Sequence, residues 1–194
     1  MRTPLQQFLH SFPFLSEQEI MAFVKSGIRK ITAPKEVLFF GAEPCTKVWF
    51  VEQGLFRTYR IVNGEDMTFR FFLSGELLTD YQSYLTNTPA TLSVQSITEG
   101  ATIIFEKEDI LNIFDAYPRA ERVGRIMAEQ TYLYIVERLK QFQVDDLETR
   151  YQKLIASAPE LFQSVPLHYI SSFLGVKPQS LSRIRRKISR QKPE

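Results

Sequence analysis

The sequence predicts an α+β chain. It opens with an antiparallel β-roll of the jelly-roll (double-stranded β-helix) type with flanking helices, continues as one long helix, and ends in an all-α helix-turn-helix segment. Three observations carry this. Residues 28–106 consist of short β-branched and aromatic runs broken by Gly, Pro and Asn, the spacing of a closed or rolled all-β unit. From Pro118 to about Phe142, apolar residues recur at helical spacing. In the last thirty residues, two apolar stripes flank Gly175, as when two helices meet at a sharp turn. The predicted divisions are 1–116 for the β-roll unit, 117–146 for the long helix and its hinge, and 147–194 for the terminal helices.

Residues 4–26 read as short helices. Ser16 is a candidate N-cap with Glu19 three positions on, a capping box, and Leu15, Ile20, Phe23 and Val24 are the residues expected to pack inward. Six strand-like runs follow: 37–40, 48–51, 55–61, 67–72, 92–97 and 102–105. Gly54 separates two of them, and Asn63-Gly64 is a strong signal for a two-residue hairpin. The aromatics of this region read as core. A short helix over 109–115 ends before Pro118, where the long helix is expected to begin. Along it, Ala128, Tyr132, Ile135, Leu139 and Phe142 recur at spacings of 4, 3, 4 and 3, a heptad-like seam suited to pairing with a second helix. Val123, Ile126, Leu133 and Val136 form a second apolar face. Two such faces fit a helix that lies on its own β-roll and pairs with a partner chain; burial of both within one subunit is the alternative. Val144-Asp145-Asp146 reads as the hinge.

In the terminal segment, Ile170, Phe173 and Leu174 form the stripe before the turn, and Leu181, Ile184 and Ile188 the stripe after it. At 100° per residue, the face opposite the second stripe holds Gln179, Arg183, Arg186 and Arg190. A helix held down by its apolar stripe would present one amide and three guanidiniums outward, a set that suits a DNA major groove. Residues 177–192 contain seven Lys and Arg and no acid, although the whole chain carries only +2. The remainder, with 17 basic and 22 acidic residues, sums to −5. So one-sided a charge is self-repulsive without an anionic partner, which favours double-stranded DNA over a merely solvated face.

Other functions find little support in the composition. No window approaches 18 uninterrupted apolar residues, and the first residues lack the apolar core of a signal peptide, so neither membrane nor export is expected. Cys45 is the only cysteine. No internal disulfide and no self-contained cysteine-ligated iron–sulfur cluster can form, and a cytoplasmic location is the natural reading. Cys45 is left as a structural thiol or a redox-sensing one. The two histidines, His10 and His168, are far apart and have no metal-ligand spacing, and no Gly-rich phosphate loop or nucleophile elbow appears. No enzyme, no metal and no catalytic residue is therefore expected. His168 falls on the first helix of the helix-turn-helix and reads equally as a phosphate contact or a surface residue.

Gly41-Ala42-Glu43, Val48 through Gly54, Asn63-Gly64-Glu65 and Phe72 through Leu77, followed by Ile170 through Arg186, together resemble the Crp/Fnr family of bacterial transcription regulators. The resemblance covers most of the chain. It implies a cyclic-nucleotide-binding-like effector domain, a homodimer paired through the long helix, and a roughly two-fold DNA site, with RNA polymerase as a further candidate partner. Arg183 aligns with the family's base-reading arginine, where a bidentate guanidinium matches guanine O6 and N7. Gln179 stands where the best-known members carry glutamate, which shifts the preferred base toward adenine. Pro178 replaces a family arginine at a first-turn position where a missing N–H costs little. Lys177, Ser180, Ser182, Arg186, Lys187 and Arg190 are left as phosphate contacts.

Two departures from the family pattern matter. In cAMP-binding members, a Gly-Glu pair opens a segment that ends in an arginine; the glutamate takes the ribose and the arginine neutralises the phosphate. Here Gly75-Glu76 is present, but the expected Pro-Arg reads Pro89-Ala90. Thr91 can donate a hydrogen bond but cannot offset a buried phosphate. The candidate effector pocket is Phe72, Gly75, Glu76, Leu77, Pro89, Ala90 and Thr91, with cAMP not expected and an unidentified small effector, or none, in its place. The second departure follows the recognition helix: only six residues remain after Ile188, so the wing is truncated or absent. The competing function is a cytosolic small-ligand sensor that acts through protein partners without specific DNA binding. A regulator of this kind is expected to act as an activator or a repressor.

Overall fold

A computed structural model of the 194-residue chain describes residues 2–191, with side chains described as far as Ile188. Its elements in order are α1 (Pro4–His10), α2 (Glu17–Ser26), β1 (Ile28–Thr32), β2 (Val37–Phe39), β3 (Lys47–Gln53), β4 (Phe56–Val62), β5 (Glu65–Phe72), β6 (Leu77–Leu78), α3 (Tyr81–Thr86), β7 (Ser93–Ser96), β8 (Gly100–Glu106), α4 (Lys107–Ala116), α5 (Glu121–Val144), α6 (Leu147–Ser157), α7 (Leu161–Ser164), α8 (Leu167–Phe173) and α9 (Pro178–Gln191). Two compact units divide the chain: Met1–Arg60 with Arg70–Glu129, and Ile61–Phe69 with Gln130–Glu194.

The first unit holds the β-roll. One four-stranded sheet has the order β1-β8-β3-β6 and the other β2-β7-β4-β5. The described pairings are antiparallel, with Trp49 opposite Ile104, Phe50 opposite Ile103 and Phe56 opposite Ser96. In β3 the alternation expected of a half-buried strand gives way to three successive buried residues, Trp49, Phe50 and Val51. Both faces of the strand are covered. Trp49 and Val51 pack with Phe56, Phe72, Leu78 and Val94, whereas Phe50 packs with Leu5, Leu9, Ile20 and Phe23 of the helices and with Ile113.

The Ser16–Glu19 capping box forms as the sequence predicts: Glu19 N–H donates to Ser16 Oγ (3.3 Å), and Ser16 N–H donates to a Glu19 carboxylate oxygen (2.6 Å). Ile20 and Phe23 are buried, and Leu15 and Val24 pack against them. The Asn63-Gly64 turn also forms, with positive φ at both residues (51° and 81°), the backbone a two-residue hairpin needs.

Some elements escaped the sequence reading. Strand β1, the two-residue β6 and helix α3 lie outside the six expected runs, being short or placed at an edge. The long helix does not start at Pro118. Tyr117, ahead of the proline, is held away from the α region (φ −136°, ψ 79°), Pro118–Ala120 make a 3₁₀ turn, and the α-helix begins at Glu121. Leu133, assigned to a buried second face, is 63 % exposed, whereas Val123 is buried. No described helix is long and apolar enough to cross a membrane.

The second unit gathers the later part of α5, helices α6–α9 and the tip of the β4–β5 hairpin. Tyr151, Leu161, Val165, Ile170, Leu174 and Leu181 are buried there, and the Tyr151 and Phe162 rings meet edge-on at 5.3 Å. Asp146 caps α6 by accepting from Thr149 N–H (2.8 Å).

Candidate functional site

Helix α8 ends in a left-handed cap. Gly175 (φ 72°) donates to Ser172 C=O and Val176 N–H to Ser171 C=O, both at 3.0 Å, the paired bonds of a Schellman motif. Helix α9 then starts at Pro178 and runs for 14 residues. Leu181 is fully buried, Ile184 and Ile188 half-buried, while Lys177, Gln179, Arg183, Arg186 and Lys187 are exposed. Ser180 and Ser182 are half-buried, and His168, on α8, is exposed with its ring 4.1 Å from that of Tyr169. The Arg190 side chain lies outside the described residues. Lys187 is engaged within the unit: its Nζ lies 2.5 Å from a carboxylate oxygen of Glu148 on α6, and this hydrogen bond, with the charge of Glu148, raises the lysine pKa.

The turn between α8 and α9 is held by groups the sequence reading did not assign to it. The Arg138 guanidinium of α5 donates to Phe173 C=O and lies 3.5 Å from the Phe173 ring centroid; burial disfavours its charged form. Arg150 of α6 donates to Asp145 C=O (2.7 Å) and more weakly to Leu174 C=O (3.4 Å). Both guanidiniums lie over the ring of Phe142, at 4.7 and 5.0 Å. The Phe142 ring also faces Gly175, where an added Cβ would stand 2.8 Å from Phe142 Cε1. Phe142, the last residue of the heptad-like seam, is thus also part of the clamp on the turn.

A second anchor comes from the hairpin tip. Ser172 Oγ of α8 accepts from Thr68 N–H (2.7 Å) and donates to Asp66 C=O (3.0 Å). One hydroxyl therefore satisfies a strand edge as a neighbouring strand would. Elsewhere along the seam of α5, Tyr132, Ile135 and Leu139 are 66, 56 and 56 % exposed, and Ala128 is half-buried. A stripe of large apolar side chains open to solvent is the mark of a surface that meets another molecule.

The candidate effector segment is internally paired. Gly75 (φ 92°) sits in the turn between β5 and β6, and its N–H donates to Val51 C=O (2.8 Å). Both oxygens of Glu76 are engaged, one by Arg70 Nη2 (2.9 Å) and the other by Leu73 N–H (2.7 Å), while Arg70 lies 4.6 Å over the Phe72 ring. Phe72 is buried in the inter-sheet core, and Leu77 packs beside Phe50. Pro89 and Thr91 are exposed, with Pro89 bridging to Pro44. Ala90 is only 6 % exposed, its side chain in the core with Cys45 and Trp49 and its N–H donating to Glu43 C=O (3.0 Å).

Asp80 is the residue of this segment that sequence reasoning missed. It is 3 % exposed and accepts from Ser83, Thr91 and Leu92 N–H groups. An Asp ahead of Tyr81-Gln82-Ser83-Tyr84-Leu85 was a usable N-cap signal, but α3, six residues long, was too short to show periodicity.

Residues 20–117 match the family model described as the cyclic nucleotide-binding domain. The chain superposes on a structure of CooA from Carboxydothermus hydrogenoformans with a TM-score of 0.72 and 14 % identity, covering 98 % of this chain and 86 % of that one. It superposes on the c-di-GMP-responsive global regulator CLP of Xanthomonas campestris with a TM-score of 0.71 and 14 % identity over 90 % and 92 % of the two chains. FixK2 of Bradyrhizobium japonicum gives 0.71 and 15 % identity, covering 85 % of each. No curated protein sequence matches. At such identities the likeness describes the fold: a β-roll with antiparallel sheets and flanking helices, followed by C-terminal helices.

Proposed function

Because the chain belongs to the cyclic nucleotide-binding domain family, we propose that it is a dimeric, sequence-specific DNA-binding transcription regulator of the Crp/Fnr type whose effector domain does not answer to cAMP. The observation that carries the reading is α9: a helix pinned by a fully buried Leu181 that exposes Lys177, Gln179, Arg183 and Arg186. Arg183 reads a guanine, Gln179 a neighbouring base, and the remaining basic and hydroxyl groups hold phosphates. The exposed stripe of α5 pairs two chains, which sets two α9 helices against successive major-groove faces of a two-fold site. Ala90 lies in the core where a phosphate-neutralising arginine is expected, and Glu76 is already paired, so a cyclic nucleotide finds neither of its charged partners free. The protein works in the cytoplasm on double-stranded DNA, with RNA polymerase as the expected downstream partner.

Fluorescence anisotropy against selected and random duplexes at two salt concentrations tests this. The protein should bind a selected two-fold site tightly, more weakly as salt rises. Arg183→Ala should lose ~1–3 kcal/mol of discrimination at one base pair in each half-site. Weak binding, equal for all duplexes, would refute the reading and favour the small-ligand sensor.

A further inference from the structure

On the reading that α9 enters DNA, we propose that Glu148 limits the affinity of that helix: its carboxylate takes the Lys187 amine as a DNA phosphate would, and binding must exchange one for the other. Glu148 stands in the first turn of α6, and Lys187 in the second half of α9. Lys187 Nζ lies 2.5 Å from a Glu148 carboxylate oxygen, with the lysine side chain 55 % exposed and the glutamate 21 %. The carboxylate is thus the sheltered partner, and the amine the one open to a competitor from solution.

The place of this pair on α9 gives it its effect. With about 3.6 residues per turn, the inward stripe of Leu181, Ile184 and Ile188 leaves Lys187 on one flank and Arg185 on the other, while Gln179, Arg183 and Arg186 face away from it. A helix in the major groove has a phosphate strand along each side, so cations on its flanks are the ones that reach phosphates. Arg185 is exposed and, among the described residues, takes part in no ion pair. Lys187 does, and the pair it makes with Glu148 carries no net charge. One flank of α9 therefore offers its charge to DNA, and the other has its charge cancelled from within the chain.

Two further features keep Glu148 in this role. A carboxylate in the first turn of a helix is favoured by the positive end of the helix dipole, so α6 stabilises the charge that cancels Lys187. Asp146, the N-cap of the same helix, adds a second negative charge toward the lysine, behind the hydrogen bond and the charge of Glu148. An ion pair with so exposed a lysine adds little to folding stability. Its larger consequence falls on DNA binding. Each phosphate neutralised by a free cation releases counterions from the duplex, and a lysine already neutralised releases none until its carboxylate lets go.

The full chain is titrated with selected and random duplexes as parent, Glu148→Gln, Lys187→Ala and the double variant. Gln keeps the shape of Glu148 and removes its charge. Over the fourfold range from about 50 to 200 mM salt, Glu148→Gln should steepen the salt slope by about 0.9, so its affinity falls about 3.5-fold more than the parent's, four to the power 0.9. At the lower salt it should bind every duplex more tightly. Lys187→Ala should leave the parent's slope nearly unchanged, and in that background Glu148→Gln should gain little. A purely structural ion pair predicts the reverse, equal or weaker binding once α9 loses its support. An unchanged slope on Glu148→Gln, an equal gain without Lys187, or a fall of about 0.9 on Lys187→Ala alone would overturn the proposal. Should the parent bind no duplex, the DNA reading fails by itself, and elution from immobilised heparin decides. A later elution of Glu148→Gln that depends on Lys187 supports the exchange, and an equal shift in both backgrounds, or none, overturns it. If Glu148→Gln does not fold, amine labelling of the parent with acetic anhydride takes its place. Lys187 should react several-fold more slowly than the exposed Lys177, and equal rates overturn the hold of Glu148.

Discussion

Gly175→Ala is the perturbation whose effect can be worked most fully. The residue sits at φ 72°, where a Cβ costs ~1–2 kcal/mol through its clash with the backbone. The same Cβ would stand 2.8 Å from Phe142 Cε1, so the ring, 42 % exposed but lying under the Arg138 and Arg150 guanidiniums, must shift at the expense of those contacts. Overpacking of this kind adds ~1–3 kcal/mol. The loss therefore totals ~2–5 kcal/mol, confined to the unit that carries α8 and α9. Amide hydrogen exchange at Ile170, Leu174 and Leu181 reads this as opening about 30-fold to several thousand-fold easier. In a Phe142→Ala background the packing part disappears, and Gly175→Ala should cost only the ~1–2 kcal/mol of the backbone. Gly175→Asn in that background should lie close to the glycine, since Asn tolerates the left-handed region. Equal costs in both backgrounds, or a cost below ~1 kcal/mol in the parent, would refute the clamp as described.

Other expectations can be checked with single experiments. Burial pushes the Glu19 carboxyl up, but the Ser16 hydrogen bonds and the Arg119 charge outweigh it and leave the pKa lowered. Its contribution to stability is thus present above the usual carboxylate range and lost as pH falls through its folded value; Ser16→Ala should flatten this acid limb in a melting-temperature series from pH 7 to 3. Ser172→Ala removes both hydrogen bonds to the hairpin tip, ~1–3 kcal/mol together, and should speed exchange of the Thr68 amide without shifting the Ser16-dependent acid limb. Ile135→Asp places a charge in the exposed stripe of α5 and should turn a dimer into a monomer by sedimentation; a monomeric parent would contradict the pairing. Lys177→Ala, at an exposed lysine, should reduce the salt slope of DNA binding by about 1, whereas Lys187→Ala, whose amine already pairs with Glu148, should change it less.

Much of the architecture could be read from local patterns. The Asn63-Gly64 hairpin, the Ser16–Glu19 box and the turn at Gly175 each depend on a few adjacent residues, and each formed where the pattern placed it. The apolar stripe of α9 and its one-signed opposite face also follow from helical period and composition alone, as does the run of apolar residues along α5. Short β-branched runs were enough to announce a β-roll, although not the edge strand β1 or the two residues of β6, which carry too little pattern to stand out.

Pairing between residues distant in the chain was decided only by the tertiary structure. That Phe142 closes on Gly175, that Arg138 and Arg150 cap the end of α8, that Ser172 completes the edge of the hairpin tip, and that Lys187 is tied to Glu148 all depend on side chains brought together across 24 to 104 residues of sequence. In the candidate effector segment, the family resemblance set Ala90 where an arginine is expected; only the fold put Ala90 into the core, engaged both oxygens of Glu76, and turned three amides onto Asp80. The physical reason is range. Backbone propensity, capping and amphipathic period act within about four residues and are written in local order. Satisfying a buried charge or filling the space beside a turn depends on whatever the folded chain delivers there, and no local pattern encodes it.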